Sequence, residues 1–335
     1  MLIIVFLPAR WTSSQGDLIG VQKFHFDPTP RISGIPVFAS FFVGLWFVDP
    51  PEGFYLAMLF ASLPVFVFGL AEDITARISP RLRMFATLVS VAAAFFWLDI
   101  GITTLGFGWV DGYLSDYVVL SLVFTLLAVG GLVNAVNIID GYNGLMAGYG
   151  VLVLLAIAYV ANIFGDDLVL QLSLVLTASL VGFFVFNFPL GKIFMGDGGA
   201  YFVGFIMAVT GLMLGIRNDE VSHWFVLLLF IYPLYETAFS IYRRKLLHKT
   251  DVSQPDTNHL HSLIYRKLIS CDRFKHNKVI CNSMTAPVMW LLSLLGIIPA
   301  VIWFNNQTML IVWAFVFMLV YTIIYRRIMH FKFKR

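Results

Sequence analysis

An all-α, polytopic integral membrane bundle is the fold class this sequence predicts, and three observations predict it. Apolar runs near twenty residues long recur along the 335-residue chain, the length needed to cross ~30 Å of hydrocarbon. The chain is 59% hydrophobic and only 12% charged, too little charge to cover the water-facing surface of a soluble domain. Alternation with a period of two is missing, which argues against a transmembrane barrel. The two cysteines, Cys271 and Cys281, are too few for a disulfide framework. The spacing of His259, His261 and His276 fits no common zinc pattern.

Taken in order, residues 1–9 (MLIIVFLPA) are apolar but too short to span. They lack the basic start and clear cleavage site of a signal peptide, and are expected to be a short or truncated N-terminal helix. Ten full spans then read as 33–48, 53–71, 83–98, 117–136, 144–164, 167–187, 198–216, 222–242, 284–304 and 308–325. Residues 1–335 thus form one membrane-embedded domain.

Loop charge orients the spans. Arg10, Lys23 and Arg31 precede the first full span, Arg77, Arg81 and Arg83 follow the second, and 243–283 and the tail are strongly basic. Of the 22 Lys and Arg residues, this threading puts 21 on one side and leaves Arg217 on the other. By the positive-inside rule the basic side is cytoplasmic. The net charge of +3 therefore reflects orientation and contact with lipid headgroups, not nucleic-acid binding.

Chemistry-bearing residues gather in loops of that same side, near 10–32, 72–83, 137–143, 188–197 and 243–283. The stretch FNFPLGKIFMGDGG (186–199) holds Asn187, Lys192 and Asp197 among four glycines. A carboxylate flanked by glycines lets a metal-bound phosphate approach the backbone, and Lys192 adds positive charge; the plain alternative is an Asp capping the next helix. In GLAEDITARISPRLR (69–83), Glu72 and Asp73 suit metal binding or proton transfer, and the arginines suit phosphate; a snorkelling basic loop is the alternative. In NAVNIIDGYNGL (134–145), Asn134, Asn137 and Gly141 share a helix face until Asp140-Gly141 breaks it. Two amides and an acid at that depth need partners, which helix–helix hydrogen bonds could also supply. In PDTNHLHSLIYRK (255–267), His259 and His261 precede Arg266 and Lys267, a set able to bind a diphosphate or donate protons, or to be a solvated basic loop. Glu236 lies inside a span, three residues after Pro233, and needs a polar cavity or a partner there.

The order PRISGIP (30–36), EDITARISPRLR, NAVNIIDGYNGL, FNFPLGKIFMGDGG and NHLHSLIYR, over about residues 16–270, resembles the polyprenyl-phosphate N-acetylhexosamine-1-phosphate transferases. The resemblance implies transfer of a sugar-1-phosphate from a UDP-N-acetylhexosamine to a polyprenyl phosphate, with release of UMP and a need for Mg²⁺ or Mn²⁺. It implies that Asp197 and Asn137 hold the metal and that Asp73, Glu72, Asp140 and Asp197 carry catalysis. It further implies that Phe194 stacks on uracil with Asn143 near the base, and that Arg83, His259, His261 and Arg266 face phosphates. Lys192 and Asn187 complete the expected substrate set. Glu72 stands where many members have Asp, and Asn143 where the peptidoglycan enzymes have a second Asp. With the histidine-poor NHLH, this points to the O-antigen-initiating branch. A multi-pass protein of the bacterial inner membrane follows, with a cytoplasmic active site and room for a homodimer. The readings set against it are a secondary transporter of an anionic solute, which the lack of an internal repeat disfavours, and a non-catalytic scaffold of the same family.

Overall fold

The computed structural model describes residues 29–247, 258–269 and 278–330. The expected N-terminal helix end at 1–9, the charges Arg10 and Lys23, and residues 248–257 and 270–277 of the basic loop lie outside the described residues. The described chain is helical, without a strand. In order it forms α1 (Gly34–Phe47), α2 (Phe54–Thr75), α3 (Pro80–Trp97), α4 (Gly108–Asp116), α5 (Val118–Ile139), α6 (Leu145–Phe164) and α7 (Asp167–Asn187). There follow α8 (Gly196–Arg217), α9 (His223–Leu229), α10 (Ile231–Tyr242), α11 (Leu260–Leu263), α12 (Lys278–Ile302) and α13 (Gln307–His330).

A helix stands at each of the ten expected places, but not every one is by itself long and apolar enough to be a full span. Seven helices are long and apolar enough to cross a membrane, or eight if α9 and α10 together make one broken span. Helix α1 is apolar but has only 14 residues, and α3 carries Arg81 and Arg83 in its first turn, which lowers its hydropathy. The region 99–116, expected as a plain loop, contains the short helix α4. Cys281 is disulfide-bonded, a single bridge and not a framework.

The core is built on α8. Its apolar window is 94% buried, against 28–56% in the other six candidate spans, and it packs against α1, α2, α5, α6 and α7. Small residues allow this: without a hydrophobic drive between helices in lipid, association rests on close backbone approach. A Cβ added to Gly69 of α2 would lie 2.6 Å from Gly198 Cα, so the two helices touch backbone to backbone. Large apolar side chains point outward instead, among them Trp46, Phe47, Leu127, Val185 and Leu291, as a lipid-facing surface requires.

The expected single span at 222–242 is two helices meeting at a 70° bend. Pro233 explains it, because its missing N–H and its ring leave the carbonyl four residues back without a helical partner. That carbonyl belongs to Leu229, and it accepts the Tyr149 hydroxyl of α6 at 2.8 Å. The bend is therefore satisfied from a neighbouring helix.

Candidate active site

The site grows from the first turn of α8. Its N-cap residue, Met195, makes no side-chain cap, and Asp197 does not cap it either, contrary to the plainer expectation. The cap comes from α2: Asp73 Oδ1 accepts the Asp197 N–H at 2.8 Å and Oδ2 accepts the Gly198 N–H at 2.9 Å. A carboxylate here satisfies two orphan donors and meets the positive end of the helix dipole. Gly196 sits at φ +76°, and a side chain on it would run into the Asp73 carboxylate and the Arg31 carbonyl. Only glycine lets the two acidic segments meet so closely.

Asp197, held this way at its backbone, turns its carboxylate to the mouth of the bundle. Arg83 Nη1 of α3 pairs with its Oδ2, and Asn137 Nδ2 of α5 lies 3.4 Å from Oδ1. The Arg83 guanidinium also lies 6.0 Å from the Tyr201 ring centroid, and the Tyr201 hydroxyl donates to Asn134 Oδ1 at 3.2 Å. Residues of α3 and α5 thus converge on the carboxylate carried by α8, while α2 holds its backbone.

Asp140 ends α5 as its C-cap, where the sequence placed the helix break. It keeps some exposed surface, but burial pushes its carboxyl up to about 8, while Arg31 pulls it down and Asp73 pushes it up. In the sequence Arg31 stands out only as loop charge; its proximity to Asp73 and Asp140 places it in the cluster. Its place in PRISGIP was the available signal.

Other expected site residues are turned elsewhere. Glu72 accepts the Ile78 N–H at 2.7 Å and so pins its own loop. Asn187 is buried, with Oδ1 accepting the Gly144 N–H at 2.6 Å and Nδ2 donating to the Ile193 carbonyl at 2.8 Å. Asn143 is 1% exposed; its N–H donates to Asn282 Oδ1 and its Nδ2 to Ser283 Oγ of α12. Both amides hold loops together by these bonds, and Asn143 Oδ1 is buried without a hydrogen-bond partner among the described residues. Phe194 keeps a half-buried ring, and Lys192 is exposed. Phe194 is anchored by its backbone, its N–H donating to the Pro30 carbonyl at 2.8 Å.

The histidine segment docks beside this cluster. His259 and His261 are buried, with stacked rings 5.2 Å apart. His259 Nδ1 lies 3.0 Å from Glu236 Oε1 of α10, and the Leu260 N–H donates to the same oxygen at 2.9 Å. A Cβ placed on Gly141 would stand 4.0 Å from His261 Nε2, so this edge of the ring faces the turn after Asp140. Arg266 is exposed and donates to Asn258 Oδ1 at 3.0 Å.

As a metal site the donor set is small. Among the described residues no group of three or more His, Cys, Asp or Glu could hold an ion. Asp197 and Asn137 offer one carboxylate and, with the amide turned over, one carbonyl oxygen. This suits Mg²⁺, which keeps several waters and takes one or two carboxylates plus substrate phosphates.

A family model described as Glycosyl transferase family 4 matches residues 55–215. The chain is 30% identical over 254 residues to a Bacillus subtilis protein named a probable undecaprenyl-phosphate N-acetylglucosaminyl 1-phosphate transferase, covering 72% of this chain and 66% of that protein. It thus spans about two thirds of that relative's length. It is 26% identical to the undecaprenyl-phosphate alpha-N-acetylglucosaminyl 1-phosphate transferase of Thermotoga maritima, over 74% of this chain and 72% of the relative. A phospho-N-acetylmuramoyl-pentapeptide-transferase of Streptococcus thermophilus is 29% identical, over 71% of this chain and 75% of the relative.

Proposed function

Since this chain belongs to glycosyl transferase family 4, we propose that it transfers N-acetylhexosamine-1-phosphate from a UDP-sugar to a polyprenyl phosphate. An oxygen of the lipid phosphate bonds to the sugar-linked phosphorus, the bond from that phosphorus to the bridging oxygen breaks, and UMP leaves with the electron pair. The products are polyprenyl-diphosphate-sugar and UMP. One observation carries this reading: a carboxylate, an amide and a guanidinium from three helices meet at the head of a buried helix, at one end of a membrane bundle.

In this reading Asp197 and Asn137 hold Mg²⁺ or Mn²⁺, which would offset the negative charge of the diphosphate. Arg83 and Arg31 bind phosphate oxygens and stabilise the charge that builds on departing UMP. Asp73 fixes the Asp197 backbone and hence the direction of its carboxylate. Phe194 offers a stacking face to uracil. Asn143 and Asn187 shape the loops around the base instead of touching it. Asp140, neutral when enclosed, is available as a proton donor. Catalysis comes mainly from placement, since a phosphate monoester with a second pKa of about 6 is already largely ionised at neutral pH.

The finer assignment is the O-antigen-initiating branch, a cytoplasmic active site in a bacterial inner membrane, and ten crossings with α1, α3 and the α9–α10 pair counted. Asn143 supports the branch, since it stands where the peptidoglycan enzymes are expected to carry Asp. A panel of UDP-GlcNAc, UDP-GalNAc, 6-deoxy analogues and UDP-N-acetylmuramoyl-pentapeptide, offered to purified protein with undecaprenyl phosphate, tests it. Turnover of a simple UDP-N-acetylhexosamine supports the branch; turnover of the pentapeptide substrate alone overturns it.

A further inference from the structure

Tyr201 has no part in the reaction given above, yet it stands inside the cluster around Asp197. It lies four residues further along α8, one helical turn on and on the same face, and is 5% exposed. Two residues of the cluster meet it. The Arg83 guanidinium lies over its ring, 6.0 Å from the centroid, where the negative face of an aromatic ring attracts a planar cation. Its hydroxyl donates to Asn134 Oδ1 at 3.2 Å, and Asn134 precedes Asn137 by three residues on α5. The contacts therefore close a circuit: Asp197 to Arg83, Arg83 to Tyr201, Tyr201 to Asn134, and along one turn of α5 to Asn137 and back to Asp197. Phenylalanine would supply the ring face alone; tyrosine also ties that face to α5.

Arg83 depends on this face. Its Nε is buried without a hydrogen-bond partner among the described residues, so its guanidinium is held by the Asp197 carboxylate and the Tyr201 ring. In the reading above Asp197 also draws a cation, which weakens the pull of the carboxylate on Arg83 and repels the guanidinium. The ring carries no net charge for that cation to offset, so its pull persists. We propose that Tyr201 is a positioning residue: its ring keeps the Arg83 guanidinium beside Asp197 while that arginine binds the diphosphate, and its hydroxyl fixes the ring to α5. This rests on the phosphotransfer reading given above.

The test is a double-mutant cycle in purified full-length protein with Mg²⁺. It reads kcat and KM for UDP-GlcNAc with undecaprenyl phosphate and, separately, the Kd for UDP by calorimetry. Tyr201→Leu is expected to lower kcat/KM about 5- to 30-fold and to weaken UDP about 3- to 10-fold, the loss of one partly desolvated cation–ring contact. Tyr201→Phe keeps the ring and should stay within about threefold of wild type in both. In an Arg83→Gln background, Tyr201→Leu should add less than about twofold to either loss. An equal loss with and without Arg83, Tyr201→Phe as damaging as Tyr201→Leu, or wild-type values in Tyr201→Leu overturn the inference. Should Tyr201→Leu fail to fold, Tyr201→Met, whose side chain adapts to an irregular site, takes its place under the same criteria. A wild type that releases no UMP would instead refute the phosphotransfer reading, so the two failures are distinct.

Discussion

Asp73 and Glu72 are neighbours in sequence with opposite fates, because adjacent residues on a helix point about 100° apart. Asp73 is buried on the head of α8 through two N–H groups, whereas Glu72 takes one N–H of its own loop. An amide at 73 would set its NH₂ against one of those donors. Asp73→Asn is therefore expected to lower kcat at least about 10²-fold, while Glu72→Gln, which can still accept from Ile78, stays within a few-fold of wild type. Turnover rates of both variants check this; an inactive Glu72→Gln beside an active Asp73→Asn would exchange their roles. Asp140 adds a pH signature. Its carboxyl is raised by burial from 3.8 to about 8, so the fold favours its neutral form. The destabilisation is absent below the unfolded value, grows as pH climbs, and levels off above about 8. In metal-free protein, the Tm advantage of Asp140→Asn over wild type should widen from pH 5 to 8; a gap that stays constant would mean an ordinary carboxyl.

At the scale of elements, much was legible because hydropathy alone sets it. Twenty apolar residues bounded by charge or glycine can only be a helix in lipid, and Asp140-Gly141 ended α5 where its turn chemistry said it would. What the pattern hid was direction. Asn143 and Asn187 look like ligand-facing amides, yet their partners are Asn282, Ser283, Gly144 and Ile193. Three of those contacts, to Asn282, Ser283 and Gly144, span more than forty residues of sequence and have no local trace. The bend at Phe230 was hidden in the same way. Pro233 was visible, but its consequence depends on Tyr149 of another helix accepting the role of donor to Leu229. Tyr149→Phe removes that donor and should cost about 0.6–1.7 kcal/mol, the range of interhelical hydrogen bonds in membranes. Unfolding in detergent with increasing denaturant checks it; an unchanged midpoint would mean that the bend needs no outside partner.

For the whole molecule, the distribution of charge and the position of the site agree. Asp73, Arg83, Asp140, Asp197 and the histidine pair gather at the end of the bundle where the basic loops emerge. Arg217 pairs with Asp166 at the other end of α8. Orientation is open to direct test with cysteines at Arg77 and Asn306, both on exposed loops. An impermeant thiol reagent applied to intact cells should label Asn306→Cys and spare Arg77→Cys; the reverse pattern would put the site on the outer face.

The measurement that bears most directly on the central claim is UMP release by purified protein given UDP-GlcNAc, undecaprenyl phosphate and Mg²⁺, with wild type and Asp197→Asn side by side. Asp197 is where the α2, α3, α5 and α8 contributions meet, so its carboxylate should be indispensable even though the variant still inserts and folds. The expected result is UMP formed in step with lipid-linked sugar by the wild type, strictly dependent on the polyprenyl phosphate, and none by Asp197→Asn. Near-normal UMP release by Asp197→Asn at limiting Mg²⁺, or release that ignores the lipid phosphate, would contradict it.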